Sequence, residues 1–170
     1  MRIDPVFYRN RSPEAAPLLL GKILCRQTEN GIIRRRITET ECYFGTGDTA
    51  CHAHRGRTPR TSVLYYEGGF SYIYLCYGIH SLFNIITGPE NFPEGVLIRG
   101  IEGCSGPGRL TKFLGIDRGL NAVDIRISDR LWLEDDGFIP HYTVGKRVGI
   151  GYASQEDQDR LWRFIMEEKT

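Results

Sequence analysis

Residues 39 to 43 read Glu-Thr-Glu-Cys-Tyr, and nine positions after Tyr43 stands His52. A tyrosine-rich run follows, Tyr72-Ile73-Tyr74-Leu75-Cys76-Tyr77-Gly78. Two carboxylates, several flat aromatic surfaces and a histidine are the equipment for gripping a planar heterocycle and attacking a neighbouring bond with water. In an extended segment, side chains at i, i+2 and i+4 share a face. Glu39, Glu41 and Tyr43 therefore point the same way unless a bulge intervenes. A carboxylate with an ordinary pKa of about 4.3 is ionised at neutral pH and can act on water as a general base, or steady a developing cation. The plain alternative is a pair of surface glutamates partnered by Arg34, Arg35 and Arg36. Tyr72 and Tyr74 share one face of their own strand, as core filler or as a stacking surface. Tyr77 falls at the turn, and an exposed ring at a hairpin tip can wedge between stacked bases.

Other chemistries fit less well. Cys51-His52-Ala53-His54, taken with Cys42 or Cys104, matches no standard zinc spacing, so no metal is expected. Lysines 22, 112, 146 and 169 lie in no motif suited to a Schiff base, which leaves water as the expected nucleophile.

The elements that must position these groups belong to an ordinary globular chain. With 170 residues, 41% of them hydrophobic and 25% charged, a single domain over residues 1–170 is expected, burying about 70% of its unfolded surface. Five cysteines, an odd number without a C-x-x-C pair, fit a reducing compartment. The N-terminus lacks the apolar centre of a signal peptide, and no stretch reaches the roughly 18 apolar residues of a membrane span. The expectation is a soluble cytoplasmic protein without membrane contact, nucleoid-associated if bacterial.

A net charge of +1 argues against nucleic-acid binding by bulk charge alone. The distribution is more telling: residues 1–60 carry eleven Lys/Arg against six Asp/Glu, while residues 121–170 carry seven against ten. Arginine outnumbers lysine 18 to 4, and the guanidinium fork matches phosphate geometry better than an ammonium does. Such a basic front suits modest, salt-sensitive phosphate contacts, and equally suits a solubilising surface.

Ser12-Pro13-Glu14 reads as a capped helix start, with Ser12 at the N-cap and Gly21 at the end. Ile23 to Gln27 and Ile32 to Tyr43 read as strands joined by the turn Glu29-Asn30-Gly31. Residues 44–62 have no period and form a long loop of the kind that carries function. Phe70 to Cys76, Ser81 to Thr87 and Gly95 to Glu102 read as strands. Ser105-Gly106-Pro107-Gly108 introduces a helix from Arg109 to Leu114, closed by Gly115. Leu131 to Leu133 and Arg147 to Tyr152 read as short strands, and the last fifteen residues as a helix. The sum is an α+β fold: one compact domain, a curved and largely antiparallel sheet with helices around it.

In order and spacing, Glu39-Thr40-Glu41-Cys42-Tyr43, Ala50-Cys51-His52 and Thr58-Pro59-Arg60 resemble the alkyladenine (3-methyladenine) DNA glycosylase family. The resemblance continues through Gly69 to Gly78, Asn84, Gly95 to Arg99, Ser105 to Leu110 and Arg147 to Ile150, covering about Leu18 to Tyr152. It implies hydrolysis of the N-glycosidic bond of damaged purines without a cofactor, by a monomer acting on double-stranded DNA whose target nucleotide is flipped out. It also implies roles. Glu41 would activate the water and Arg99 help to hold it. Tyr43 and Tyr74 would sandwich the base, His52 form a further wall, and Asn84 line the floor against the amine of guanine. Tyr77, with Gly78 at the tip, would fill the vacated stack, and Arg60 would touch the DNA. Two departures stand out: Glu102-Gly103-Cys104-Ser105 directly joins elements that family members separate by a helical segment, and the tail after Tyr152 diverges. Removal of alkylated purines, with hypoxanthine and ethenoadenine as further substrates, is the leading reading. A lesion binder that flips bases with little hydrolysis, and an unrelated small-molecule hydrolase, are the alternatives.

Overall fold

The computed structural model describes residues 1–167. Helix α1 (Ser12–Leu19) leads into a hairpin of β1 (Ile23–Thr28) and β2 (Gly31–Phe44), turned where the Asn-Gly signal lies. A long connection brings β3 (Ser71–Cys76) and β4 (His80–Ile86) as a second hairpin, then β5 (Glu94–Ile101) and the two-residue β6 (Cys104–Ser105). Helix α2 (Pro107–Leu114), β7 (Leu131–Glu134), β8 (Tyr142–Gly145), α3 (Gln155–Asp159) and β9 (Arg163–Met166) complete the chain. The strand order is β3-β4-β5-β2-β1-β7, and all the strand pairs are antiparallel.

Strand β2 organises the sheet. Its first half pairs with β1, and residues 39–41 lie between β5 on one side and β9 on the other. Register shifts on either side of Glu39 mark a bulge, which bends the strand where it leaves one partner for the next.

Period-2 alternation then sorts the side chains onto two faces. One face carries Ile37, Phe83, Ile85, Val96 and Ile98, packed with Leu19 of α1 and Leu110 and Leu114 of α2 in a continuous apolar core. Burying each such aliphatic or aromatic side chain is worth about 1.5–3 kcal/mol. Thr40, buried on this side, satisfies its hydroxyl on the Ala16 carbonyl at 2.8 Å. On the opposite face Tyr72 and Ile86 pack with Cys51, Ala53, Val63 and Leu64 of the 44–66 connection.

The expected α+β class and antiparallel sheet are present, with four local corrections. Arg11, not Ser12, occupies the N-cap of α1; the Ser12 hydroxyl instead bonds the Tyr43 carbonyl at 2.9 Å and Glu94 at 3.1 Å. Residues 147–152 form turns rather than a strand, and the strand lies upstream as β8. The tail helix is only the five residues of α3, after which the chain extends into β9; the residues of the expected helix beyond 167 lie outside the described residues. The 44–62 segment contains two short 3-10 turns and the start of a third, at Gly45–Gly47, His52–Arg55 and Ser62–Tyr65. Among the described residues no helix is long and apolar enough to cross a membrane.

Candidate active site

Strand register brings the candidate residues together. Glu41 and Asn84 both stand opposite Leu97 of β5, Tyr43 opposite Gly95, and Tyr72 opposite Asn84. The side chains on this face enclose a narrow slot lined by Tyr43, His52, Tyr72, Tyr74, Asn84 and Tyr152, with Cys51, Leu64 and Gly95 behind them. The slot has a volume of about 40 Å³, because its walls lean into it: the His52 ring packs edge-on against Tyr74 at 4.4 Å between centroids. It opens into a groove of about 1080 Å³ that shares Tyr43, His52, Tyr74 and Tyr152 and extends past Arg60, Tyr77, His80 and Arg99 to Gly106–Arg109 and Lys112.

The Glu41 side chain is 0% exposed and lines neither the slot nor the groove. Its Oε2 accepts the Tyr43 hydroxyl at 2.8 Å, and its Oε1 accepts the Val148 backbone N–H at 2.7 Å. Arg99 Nε approaches the same Oε1 at 3.5 Å. Burial pushes the Glu41 carboxyl above its ordinary pKa, and Arg99, the Val148 N–H, the Tyr43 hydroxyl and Arg147 each pull it back toward ionisation. A carboxylate raised in this way binds a proton more readily than a surface glutamate, as a general base requires.

Glu39 is a different group, although only two residues away. Its Oε1 accepts from Arg163 Nε at 2.6 Å and from Arg99 Nε at 3.1 Å. It therefore anchors Arg99 and does not line the slot. The upstream arginines are spoken for elsewhere: Arg34 pairs with Glu134 and Arg36 with Asp136.

The wall residues are held as tightly. His52 Nδ1 lies 3.1 Å from the Tyr72 hydroxyl. Burial, helped by the nearby Arg60 charge, pushes the His52 pKa down to about 4, which leaves the ring neutral at pH 7. Asn84 Nδ2 donates to the Tyr72 carbonyl at 3.1 Å, so its amide is pinned at the bottom of the slot. The Arg60 guanidinium stands 5.3 Å from the Tyr74 ring centroid.

Tyr77 stands apart from the slot, at the lip of the groove. At the β3–β4 tip both Tyr77 (φ 51°) and Gly78 (φ 69°) adopt the left-handed region, which glycine tolerates and a bulky side chain ordinarily avoids. The result is a tyrosine 92% exposed. Gly78 serves the turn and lines neither cavity.

Thus the structure gathers Tyr43, His52, Tyr74 and Asn84 around one slot, ties the buried Glu41 to its wall through the Tyr43 hydroxyl, and ranges Arg60, Tyr77 and Arg99 along the groove. Sequence reasoning missed Val148, whose contribution is a backbone N–H, and Tyr152, whose hydroxyl donates to the Ala50 carbonyl at 2.7 Å. The only sequence signal for this segment was the family-like Arg147-Val148-Gly149-Ile150.

Comparisons with known proteins show which family the chain falls in. The family model described as methylpurine-DNA glycosylase matches residues 6–105 and 102–170. A protein of Borrelia garinii subsp. bavariensis, named "Putative 3-methyladenine DNA glycosylase", is 41% identical, with 98% of this chain and 96% of the relative covered. Proteins of the same name from Psychrobacter cryohalolentis and Methanocella arvoryzae are 40% and 38% identical, covering 96% and 93% of this chain and 91% and 88% of their own lengths. The chain belongs to the methylpurine-DNA glycosylase family. It is a DNA glycosylase, a hydrolase of DNA repair whose substrate is DNA. The two family-model matches meet at residues 102–105, the tight β5–β6 turn where the resemblance places a missing helical segment.

Proposed function

We propose that the protein excises alkylated purines, 3-methyladenine first among them, from double-stranded DNA after flipping the nucleotide into the slot. In this reading water attacks C1′ of the sugar and gives up its proton to Glu41. The C1′–N bond breaks, its electron pair leaves with the base, and an abasic site is the product. A purine alkylated on the ring carries a positive charge that this electron pair neutralises, so it departs without further help. Hypoxanthine and ethenoadenine are further candidate substrates, and being neutral they need a proton on the leaving base.

The observation that carries the reading is a fully buried carboxylate, held by Arg99, a backbone N–H and the hydroxyl of Tyr43, itself a wall of an aromatic slot that opens on a groove. A flipped base would replace the His52–Tyr74 contact and stack between Tyr43 and Tyr74, a gain of about 1–3 kcal/mol per base. Asn84 would oppose the exocyclic amine of guanine. Tyr77, already projected into solvent, would occupy the space left in the duplex. Arg60, Arg109 and Lys112 along the groove have no carboxylate partner among the described residues, which leaves their charges available to phosphates. The protein would act as a monomer, one groove on one duplex.

The test is single-turnover incubation with methylated duplex DNA. Free 3-methyladenine should appear at a rate set by enzyme-bound DNA. Tight binding of the methylated duplex without release of base would instead make the protein a lesion binder.

A further inference from the structure

An ion pair beneath Tyr43 has no part in the bond-breaking chemistry above. The side chains of Arg147 and Asp48 are 0% and 1% exposed. Arg147 Nη1 donates to Asp48 Oδ2 at 2.6 Å, and Nη2 to Oδ1 at 2.9 Å, the forked geometry that fixes both planes. The same guanidinium donates to the carbonyls of Cys42 at 2.9 Å and Asp157 at 3.2 Å. Asp48 in turn accepts the backbone N–H of Phe44 at 3.0 Å and of Ala50 at 3.1 Å.

All of these attachments except the one to Asp157 lead to a site residue. Cys42 and Phe44 flank Tyr43 in β2. Ala50 lies two residues before His52. Val148, directly after Arg147, presents the N–H that Glu41 accepts. Arg147 Cζ also stands 5.0 Å from the Tyr43 ring centroid and 5.1 Å from that of Trp162. A buried ion pair is a weak source of stability, since apolar residues of similar volume often replace one without loss. What this pair does supply is orientation, for three segments far apart in sequence.

We propose that Arg147 and Asp48 are positioning residues for base excision, which set the Val148 N–H against Glu41 and the Tyr43 ring over the slot. The proposal rests on the reading of Glu41 as the base. The charged and titratable groups around Glu41 are Tyr43 on its own strand, Arg99 on β5, Tyr74 on β3, Arg163 on β9 through Glu39, and Arg147 and Tyr152 on the 147–152 segment. Arg99, the Val148 N–H, the Tyr43 hydroxyl and Arg147 all favour the ionised carboxylate, and two of the four, Arg147 and the Val148 N–H, depend on the ion pair. Losing them should move the acidic limb of activity to higher pH.

The single variant Arg147→Ala strands Asp48 in the interior and threatens the fold. The test therefore uses the double variant Asp48→Asn/Arg147→Met, with Arg147→Lys, which keeps the cation but not the fork, carrying the test should the double variant not fold. Wild type and variants are compared by thermal melting, by affinity for an undamaged duplex, and by single-turnover release of 3-methyladenine as a function of pH. A folded variant should lose release by about 100-fold, as misplacement by an ångström does, with its acidic limb moved upward and duplex affinity within about twofold of wild type. Wild-type release with an unmoved limb overturns the proposal. So does a parallel fall in release and duplex affinity with the limb unmoved, which marks a merely structural pair. Wild-type protein that releases no base defeats the reading of Glu41 itself, an outcome distinct from the others.

Discussion

The two faces of the central sheet are built on opposite terms. Beneath α1 and α2 the strands present Ile37, Phe83, Ile85, Val96 and Ile98, all buried, and their apolar contacts hold the fold. The other face, on the same strands and one residue out of phase, carries Glu41, Tyr72, Tyr74, Asn84 and Arg99. There a carboxylate is buried against its own preference and an imidazole is kept neutral. Glu41 illustrates the cost. Its pKa is higher folded than unfolded, so stability falls as pH rises through that window and is lower above it. One face is shaped for stability and the other for placing charge where solvent would not.

Substitutions should separate the faces. The largest effect expected is on the apolar side: Phe83→Ala should lower unfolding free energy by about 3–5 kcal/mol, read by urea denaturation, while the folded fraction excises normally. On the other face Tyr74→Leu should leave the urea midpoint near wild type and weaken lesion binding by about 1–3 kcal/mol, read with a methylated duplex. A midpoint shift as large as that of Phe83→Ala would erase the distinction between faces. Smaller still, Arg109→Gln should reduce the slope of log affinity against log salt by about one. Arg34→Gln, which breaks an exposed pair with Glu134 on the β1–β7 side, should leave both the slope and the urea midpoint at their wild-type values.

How much of this could be read from the sequence follows from the range of the interactions. The β1–β2 hairpin and the Tyr77–Gly78 tip were legible because turn chemistry is local. The shared face of Glu41 and Tyr43 was legible because strand alternation is local too. The difference between Glu39 and Glu41 was only half legible, since it depends on a bulge at Glu39 and on Arg163, a residue 124 positions away. β9 reads as helix in the sequence because the mixed charges of the last fifteen residues suggest a solvated helix face, whereas the strand comes from pairing with β2 and β8. The Arg147–Asp48 pair, separated by 99 positions, leaves no periodic trace, and a backbone donor such as the Val148 N–H leaves no trace in residue type.

The role proposed for Glu41 is that of the general base of the site. Its most direct test is the pH dependence of single-turnover 3-methyladenine release by wild type and by Glu41→Gln. Wild-type release should climb as pH rises through a Glu41 pKa above the ordinary carboxylate range, and Glu41→Gln should fall by about 10³ or more at every pH while melting no lower than wild type. Release by Glu41→Gln within about tenfold of wild type, with the same pH dependence, would contradict the account.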